Sequence, residues 1–152
     1  MSLRRTEFGK TGEDLACREL QRRGYAIIAR RYRRRGGELD IVARDGPTVV
    51  FVEVKARQDR TFGSAEESVG FVKRRRIVRV ALEFVTEHRL VDCPCRFDVV
   101  TIHLGAGRPE IEVFQNAFDL FGRWNGSLSY VVSGFSRTDN DVSGLSRTPD
   151  YV

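Results

Sequence analysis

Along this chain the spacing of apolar positions changes several times, and each change marks an element. From Thr6 to Arg23 the spacing is helical. At about 100° per residue, Phe8, Gly12, Leu15, Ala16 and Leu20 fall in one arc, with Glu13 at its edge and Glu19 inside it. Gly24 supplies the stop. Alternation then takes over. Tyr25 to Arg33 reads as a strand, and a Gly36-Gly37 turn leads into GELDIVARDGPTVVFVEVKAR, from Gly37 to Arg57. Here two strands flank the turn signal Asp45-Gly46-Pro47. In the first, Leu39, Ile41 and Ala43 share one face, and Glu38, Asp40 and Val42 the other. In the second, Val50, Val52 and Val54 oppose Val49, Phe51, Glu53 and Lys55. A four-residue loop from Asp45 to Thr48 pairs Arg44 with Val49, Val42 with Phe51, Asp40 with Glu53 and Glu38 with Lys55.

Gln58 to Glu67 is polar and reads as a loop, with Gly63 and Ser64 close to the end of the hairpin. A long helix is predicted from about Val69 to His88. Val69, Lys73, Ile77, Val80, Ala81, Phe84 and Val85 form its apolar side, opposite Arg75, Arg76, Arg79 and Glu83. Cys95 to His103 and Glu110 to Gln115 are further strands, and Arg96 and Asp98 share a face as a structural ion pair. The expected fold is a mixed α/β sheet in the order αβββαβ. Three strands form an antiparallel meander, and a helical crossover returns the Cys95 strand parallel to the Thr48 strand, with helices on both faces. Composition shifts after Phe121. VSGFSRT at Val132 to Thr138 returns as VSGLSRT at Val142 to Thr148, in a segment rich in Ser, Gly, Asp and Arg. This divides the chain into a folded domain over 1–121 and a flexible tail over 122–152.

Charge adds a second layer. The net charge is +5 over 152 residues, but residues 1–60 carry 15 Lys and Arg against 9 Asp and Glu. The basic excess therefore lies in the half that holds the hairpin, and it suits a polyanionic partner. Arg30, Arg31, Arg33, Arg34 and Arg35 are its densest cluster; they read either as a charged edge that blocks strand pairing or as phosphate contacts. Tyr32, among them, suits either core packing or stacking on a base. No apolar run is long enough to cross a bilayer, and the N-terminal segment lacks the apolar core of a secretion signal, so a cytoplasmic location is expected. Cys17, Cys93 and Cys95 read as reduced thiols, since His88 and His103 stand at no useful spacing for a soft-metal site.

Asp40 opposite Glu53 is the pattern that calls for chemistry. Facing carboxylates repel, and a cation held between them is the simplest reason for the arrangement. A hard divalent ion such as Mg²⁺ takes carboxylates, waters and phosphate oxygens, and Mn²⁺ is an acceptable substitute. Lys55 lies beside Glu53 and can orient water or neutralise a phosphorane; Glu38, opposite Lys55, would tune it.

Asp40, a twelve-residue gap, and Glu53-Val54-Lys55 resemble the D…(D/E)xK signature of the PD-(D/E)XK nuclease superfamily. GELDIV, FVEVKAR and RFDVV resemble more closely the YraN-type family of predicted endonucleases, related by fold to archaeal Holliday-junction resolvases. The resemblance spans roughly Thr6 to Leu120. It implies a restriction-endonuclease-like core closed by a short helix from Asn116 to Phe121. It implies metal ligation by Asp40, Glu53 and the Val54 carbonyl, and catalytic roles for Asp40, Glu53, Lys55 and the Glu13 of a Gly12-Glu13 pair. Lys73 matches a family lysine and joins Arg31, Arg33, Arg34 and Arg35 as expected nucleic-acid contacts, although Arg31 stands where the family often has Asn. The expected activity is metal-dependent hydrolysis of DNA phosphodiester bonds, directed by structure rather than sequence, at branched or flapped sites. A domain that binds nucleic acid without cutting and an adaptor for an acidic protein are the competing classes. A homodimer is compatible with the sequence, which contains nothing that demonstrates one.

Overall fold

The computed structural model describes residues 3–58, 64–125 and 130–131, with side chains over 7–58 and 64–125. Helix α1 (Leu3–Arg22) is followed by β1 (Ala26–Arg34), β2 (Gly37–Asp45) and β3 (Thr48–Arg57). A short α2 (Ala65–Ser68), α3 (Phe71–Glu87), β4 (Cys95–His103), β5 (Glu110–Phe118) and β6 (Tyr130–Val131) complete the order. The strands form one sheet in sequence order. β1–β2 and β2–β3 are antiparallel, β3–β4 is parallel, and β4–β5 and β5–β6 are antiparallel again. The expected αβββαβ architecture is therefore present.

Each sheet face carries its own core. On one face Ala16, Cys17 and Leu20 of α1 pack on Ile41, Ala43, Val50, Val52, Val100 and Ile102. On the other, Ile77, Val80, Ala81, Phe84 and Val85 of α3 pack on Val42, Phe51, Phe97, Val99 and Phe118. β3 lies between them with Val49 to Glu53 buried, which is why it is apolar on both sides. α1 approaches β3 closely. A Cβ added at Gly12 would lie 2.7 Å from that of Ala56.

The structure corrects several boundaries. The hairpin loop is Gly46-Pro47 alone, because Asp45 and Thr48 still pair across it; Gly46 has φ +58, the left-handed conformation such a tight turn needs. Leu39 packs on the α3 side with Val42 and Phe51, away from Ile41 and Ala43. Its alternation breaks beside Asp40, where Arg31 on β1 adopts φ +51 and the pairing skips from Arg30–Ile41 to Tyr32–Leu39. The helical segment after the hairpin starts earlier than expected and is divided. Ser64 caps α2 by accepting from the Glu67 N–H, Val69 is buried in the connection, and Gly70 begins α3. Asn116 to Phe118 extend β5 in place of the expected closing helix. Asn116, at φ +52, sits in a bulge opposite the Phe97–Val99 segment and donates its N–H to Asp98 at 2.9 Å. Trp124 bridges to Phe118 and packs on the α3-side core. The ten-residue repeat and the Asp59 to Gly63 part of the loop lie outside the described residues.

Candidate active site

The hairpin forks where the chemistry was expected. Pairing of β2 with β3 runs from Asp45–Thr48 to Ile41–Val52 and stops there, while β2 continues on β1 to Arg34–Gly37. The next backbone donor of β3 facing the gap, Val54 N–H, is taken at 2.8 Å by Oδ2 of Asp40. A side chain thus replaces a ladder bond and anchors the Asp40 carboxyl at the fork. Glu53, 2% exposed, points from β3 into the same place. Burial and the charge of Glu53 raise the Asp40 pKa well above the ordinary carboxylate range, against the lowering effects of Val54 N–H and Lys73.

One cation meets this pair. Lys73, in the first turn of α3, forms an ion pair with Glu53 Oε1. Burial works against its charge, but Glu53 and Asp40 prevail and hold the ammonium above its usual pKa. Lys73 was expected to touch phosphate, and in this structure it neutralises the buried carboxylate instead. Lys55 is half-buried and makes no hydrogen bond or ion pair among the described residues. Glu38 is not its partner: Arg33 Nε donates to Glu38 at 2.8 Å. Glu13 extends the acidic group from the α1 side. Its pKa is raised mainly by burial, with Asp40 adding to the rise and the Arg31 hydrogen bond opposing it.

The arginine cluster is paired rather than free. Arg30 bonds Asp14 at 2.6 Å, Arg31 bonds Glu13 at 3.0 Å, and Arg34 bonds Glu87 at 2.7 Å while lying 4.0 Å from the Tyr32 ring centroid. Tyr32 is a packing residue, edge-on to Phe84 with centroids 4.9 Å apart and its hydroxyl on Glu87. Only Arg35 of the expected phosphate contacts is without an ion pair among the described residues. Arg96 does pair with Asp98, at 2.9 Å, in a buried network with Tyr25 and Gln115. Glu19 is also structural, held by Arg22 and Arg23.

The donors at the fork are all hard oxygens, which suits Mg²⁺ or Mn²⁺ and not a thiolate- or imidazole-seeking ion. Among the described residues no three His, Cys, Asp or Glu converge as a ready-made metal cage. The fork offers two carboxylates and would leave the remaining positions to water and substrate, as Mg²⁺ sites commonly do. The need for positive charge is visible in the lysine that Glu53 draws to itself.

Fold and site together define an α/β protein with two buried carboxylates at the fork of a mixed sheet. Residues 12–102, which include Glu13, Asp40, Glu53, Lys55 and Lys73, match the model of the uncharacterised protein family UPF0102, and the chain belongs to that family. A UPF0102 protein of Geobacter metallireducens is 45% identical over 120 residues, covering 79% of this chain and 98% of the relative. One from Pseudomonas aeruginosa is 46% identical over 114 residues, covering 73% and 91%. A Geobacter sulfurreducens relative is 48% identical over 114 residues, covering 74% and 89%. No helix among the described residues is long and apolar enough to cross a membrane.

Proposed function

We propose that this protein is a metal-dependent endonuclease that hydrolyses DNA phosphodiester bonds, with its reactive centre at Asp40 and Glu53. The observation that carries the reading is the convergence of two carboxylates, one 2% exposed and the other with a raised pKa, where β2 parts from β3. Burying two acids side by side costs several kcal/mol, whether both ionise or one is forced to keep its proton, so an arrangement of this kind is a poor stabiliser of a fold. A functional cation accounts for them better. Asp40 and Glu53, with the Val54 carbonyl, would hold Mg²⁺. When bound, such an ion supplies Lewis acidity to the scissile phosphate and to water.

The chain's own groups do the rest. Lys55, unpaired among the described residues, is free to orient water or to meet charge on the phosphorane. Lys73 can leave Glu53 when a divalent ion takes its place and then face the phosphate. Glu13 remains beside Asp40 as a proton acceptor or water-positioning group. Arg31, Arg33 and Arg34 keep their role as phosphate contacts because exposed ion pairs contribute only about 0–1 kcal/mol, little enough for a phosphate to displace the carboxylate.

Cleavage assays over linear, flapped and four-way DNA, with Mg²⁺ and with Mn²⁺, test the reading. Cleavage of at least one branched substrate, abolished by chelation, is the expected result. Binding to these substrates with no cleavage under either metal would replace the enzyme with a non-cutting nucleic-acid-binding domain.

A further inference from the structure

Among the described residues, three of the six large hydrophobic side chains that stand exposed gather around the start of α3: Phe71 at 48%, Val72 at 63% and Phe121 at 68%. The turn that presents Phe121 is tightly held. Asp119 accepts the Phe121 and Arg123 N–H groups at 2.9 Å each and the Arg123 guanidinium at 2.8 Å, while Gly122 N–H returns to the Asp119 carbonyl at 2.9 Å. Arg74, 5% exposed, ties this turn to the helix by donating to the Gly122 carbonyl at 2.7 Å and the Val69 carbonyl at 2.6 Å. Gly122, at φ +78, fits against α3 so closely that a Cβ there would lie 2.9 Å from Arg75 Cγ and 3.5 Å from Phe71 Cε2. Backbone and buried side chains thus hold the turn that carries Phe121 against the start of α3, beside Phe71. Each ring has a guanidinium beside it: Arg75 is 5.8 Å from the Phe71 centroid, and Arg123 is 5.0 Å from that of Phe121.

We propose that Phe71 and Phe121, with Arg75 and Arg123, bind a single-stranded segment of nucleic acid. The bases stack on the rings and the phosphates meet the arginines. An apolar protein partner would be met by a surface depleted of charge at its centre; here each ring adjoins a guanidinium, and the carboxylate of Asp119 is already engaged. A duplex keeps its bases stacked on each other and leaves the rings unused. An unpaired strand offers both a π-face and a phosphate with each nucleotide. A turn held in this way favours binding because little loop freedom remains to be lost.

The surface also lies in register with the carboxylate fork, and this extension rests on the endonuclease reading. At 100° per residue, Lys73 and Phe71 border opposite margins of the exposed face of α3, with Val72, Arg75, Arg76 and Arg79 between them, all exposed. A strand engaged at Asp40 and Glu53 reaches the rings by crossing this arginine face, about half the circumference of a helix ~10 Å across. The substrate it selects is DNA with an unpaired arm next to the scissile bond.

Fluorescence anisotropy with labelled oligothymidylate and with a duplex of equal length, in chelator, tests the surface without reference to cleavage. The parent is expected to bind the single strand. Phe71→Ala combined with Phe121→Ala should weaken that binding about tenfold or more while changing duplex affinity less than about twofold. Phe121→Trp should retain single-strand affinity, and the variants should melt as the parent does. The proposal is overturned if the parent does not bind the single strand, if the double variant binds it as the parent does, or if single-strand and duplex affinity fall equally. It is also overturned if the same substitutions instead abolish a concentration-dependent self-association. Because no metal is present, none of these outcomes depends on whether Asp40 and Glu53 support hydrolysis.

Discussion

Asp40 and Glu53 occupy one small volume for reasons that act on different links of the chain. β pairing as far as Ile41–Val52 carries both residues to the end of the ladder, and the Val54 N–H then fixes the Asp40 carboxyl where pairing ends. The pKa of Asp40 is raised in the fold, chiefly by burial and then by Glu53. A group of this kind contributes stability that is fully present below its unfolded value, 3.8, and is lost as pH climbs through the folded one. Asn cannot ionise. In metal-free protein, Asp40→Asn should therefore melt close to the parent near pH 4 and above it by pH 8, by roughly 3 °C or more. Thermal melts across that range check this, and a difference that stays flat or shrinks with pH would mean Asp40 is not strained by its surroundings. The convergence of Asp40 and Glu53 was legible because hydrophobic alternation leaves the hairpin only one sensible register, although the ladder ends at Ile41–Val52 and does not pair the two directly. The Lys73–Glu53 pair was not, since it joins residues from separate elements. Glu38's choice of Arg33 over Lys55 was hidden too, because it follows from β2 staying with β1 past the fork.

At the scale of elements, the site exists because α1, β2, β3 and α3 meet at one point. α1 reaches it through Gly12, which lies against Ala56 and sets the neighbouring Glu13 beside Arg31 and near Asp40. Replacing a helical Gly usually favours the helix, by up to about 1 kcal/mol for Ala. Here the opposite is expected. Gly12→Val has no room against β3, and overpacking of this sort costs about 1–3 kcal/mol. Chemical denaturation should show the loss, and a variant as stable as the parent would contradict the close approach. The helix itself was readable from its apolar arc and its Gly24 stop. Two other elements misled. The family resemblance implied a helix over Asn116 to Phe121, but Asn116 to Phe118 continue β5 through a bulge and Asp119 then turns the chain. Val69 reads as the start of α3, yet it is a buried link after a separately capped turn.

Over the whole molecule, two cores on opposite faces leave the fork at the margin of the sheet, where β1–β2 diverges from β3 and a substrate can approach. The arginine cluster flanks this margin from β1, and α3 flanks it with Lys73, Arg76 and Arg79. The amino-terminal basic excess that the sequence displays thus surrounds the carboxylates, although much of it is paired in the isolated chain. On the proposed nuclease reading, such a distribution would draw a polyanion to the site and loosen its hold as salt rises. What composition could not reveal is the separation of binding from chemistry, and the carboxylates permit that separation by experiment. Asp40→Asn and Glu53→Gln preserve shape, remove charge only from the proposed metal ligands and leave the arginines alone. DNA cleavage in Mg²⁺ or Mn²⁺, measured beside DNA affinity for the parent and these two variants, is the most direct test. The account predicts cleavage by the parent, a loss of at least about a hundredfold in each variant, and affinity within a few-fold of the parent's. Cleavage by Asp40→Asn at the parent's rate would contradict it.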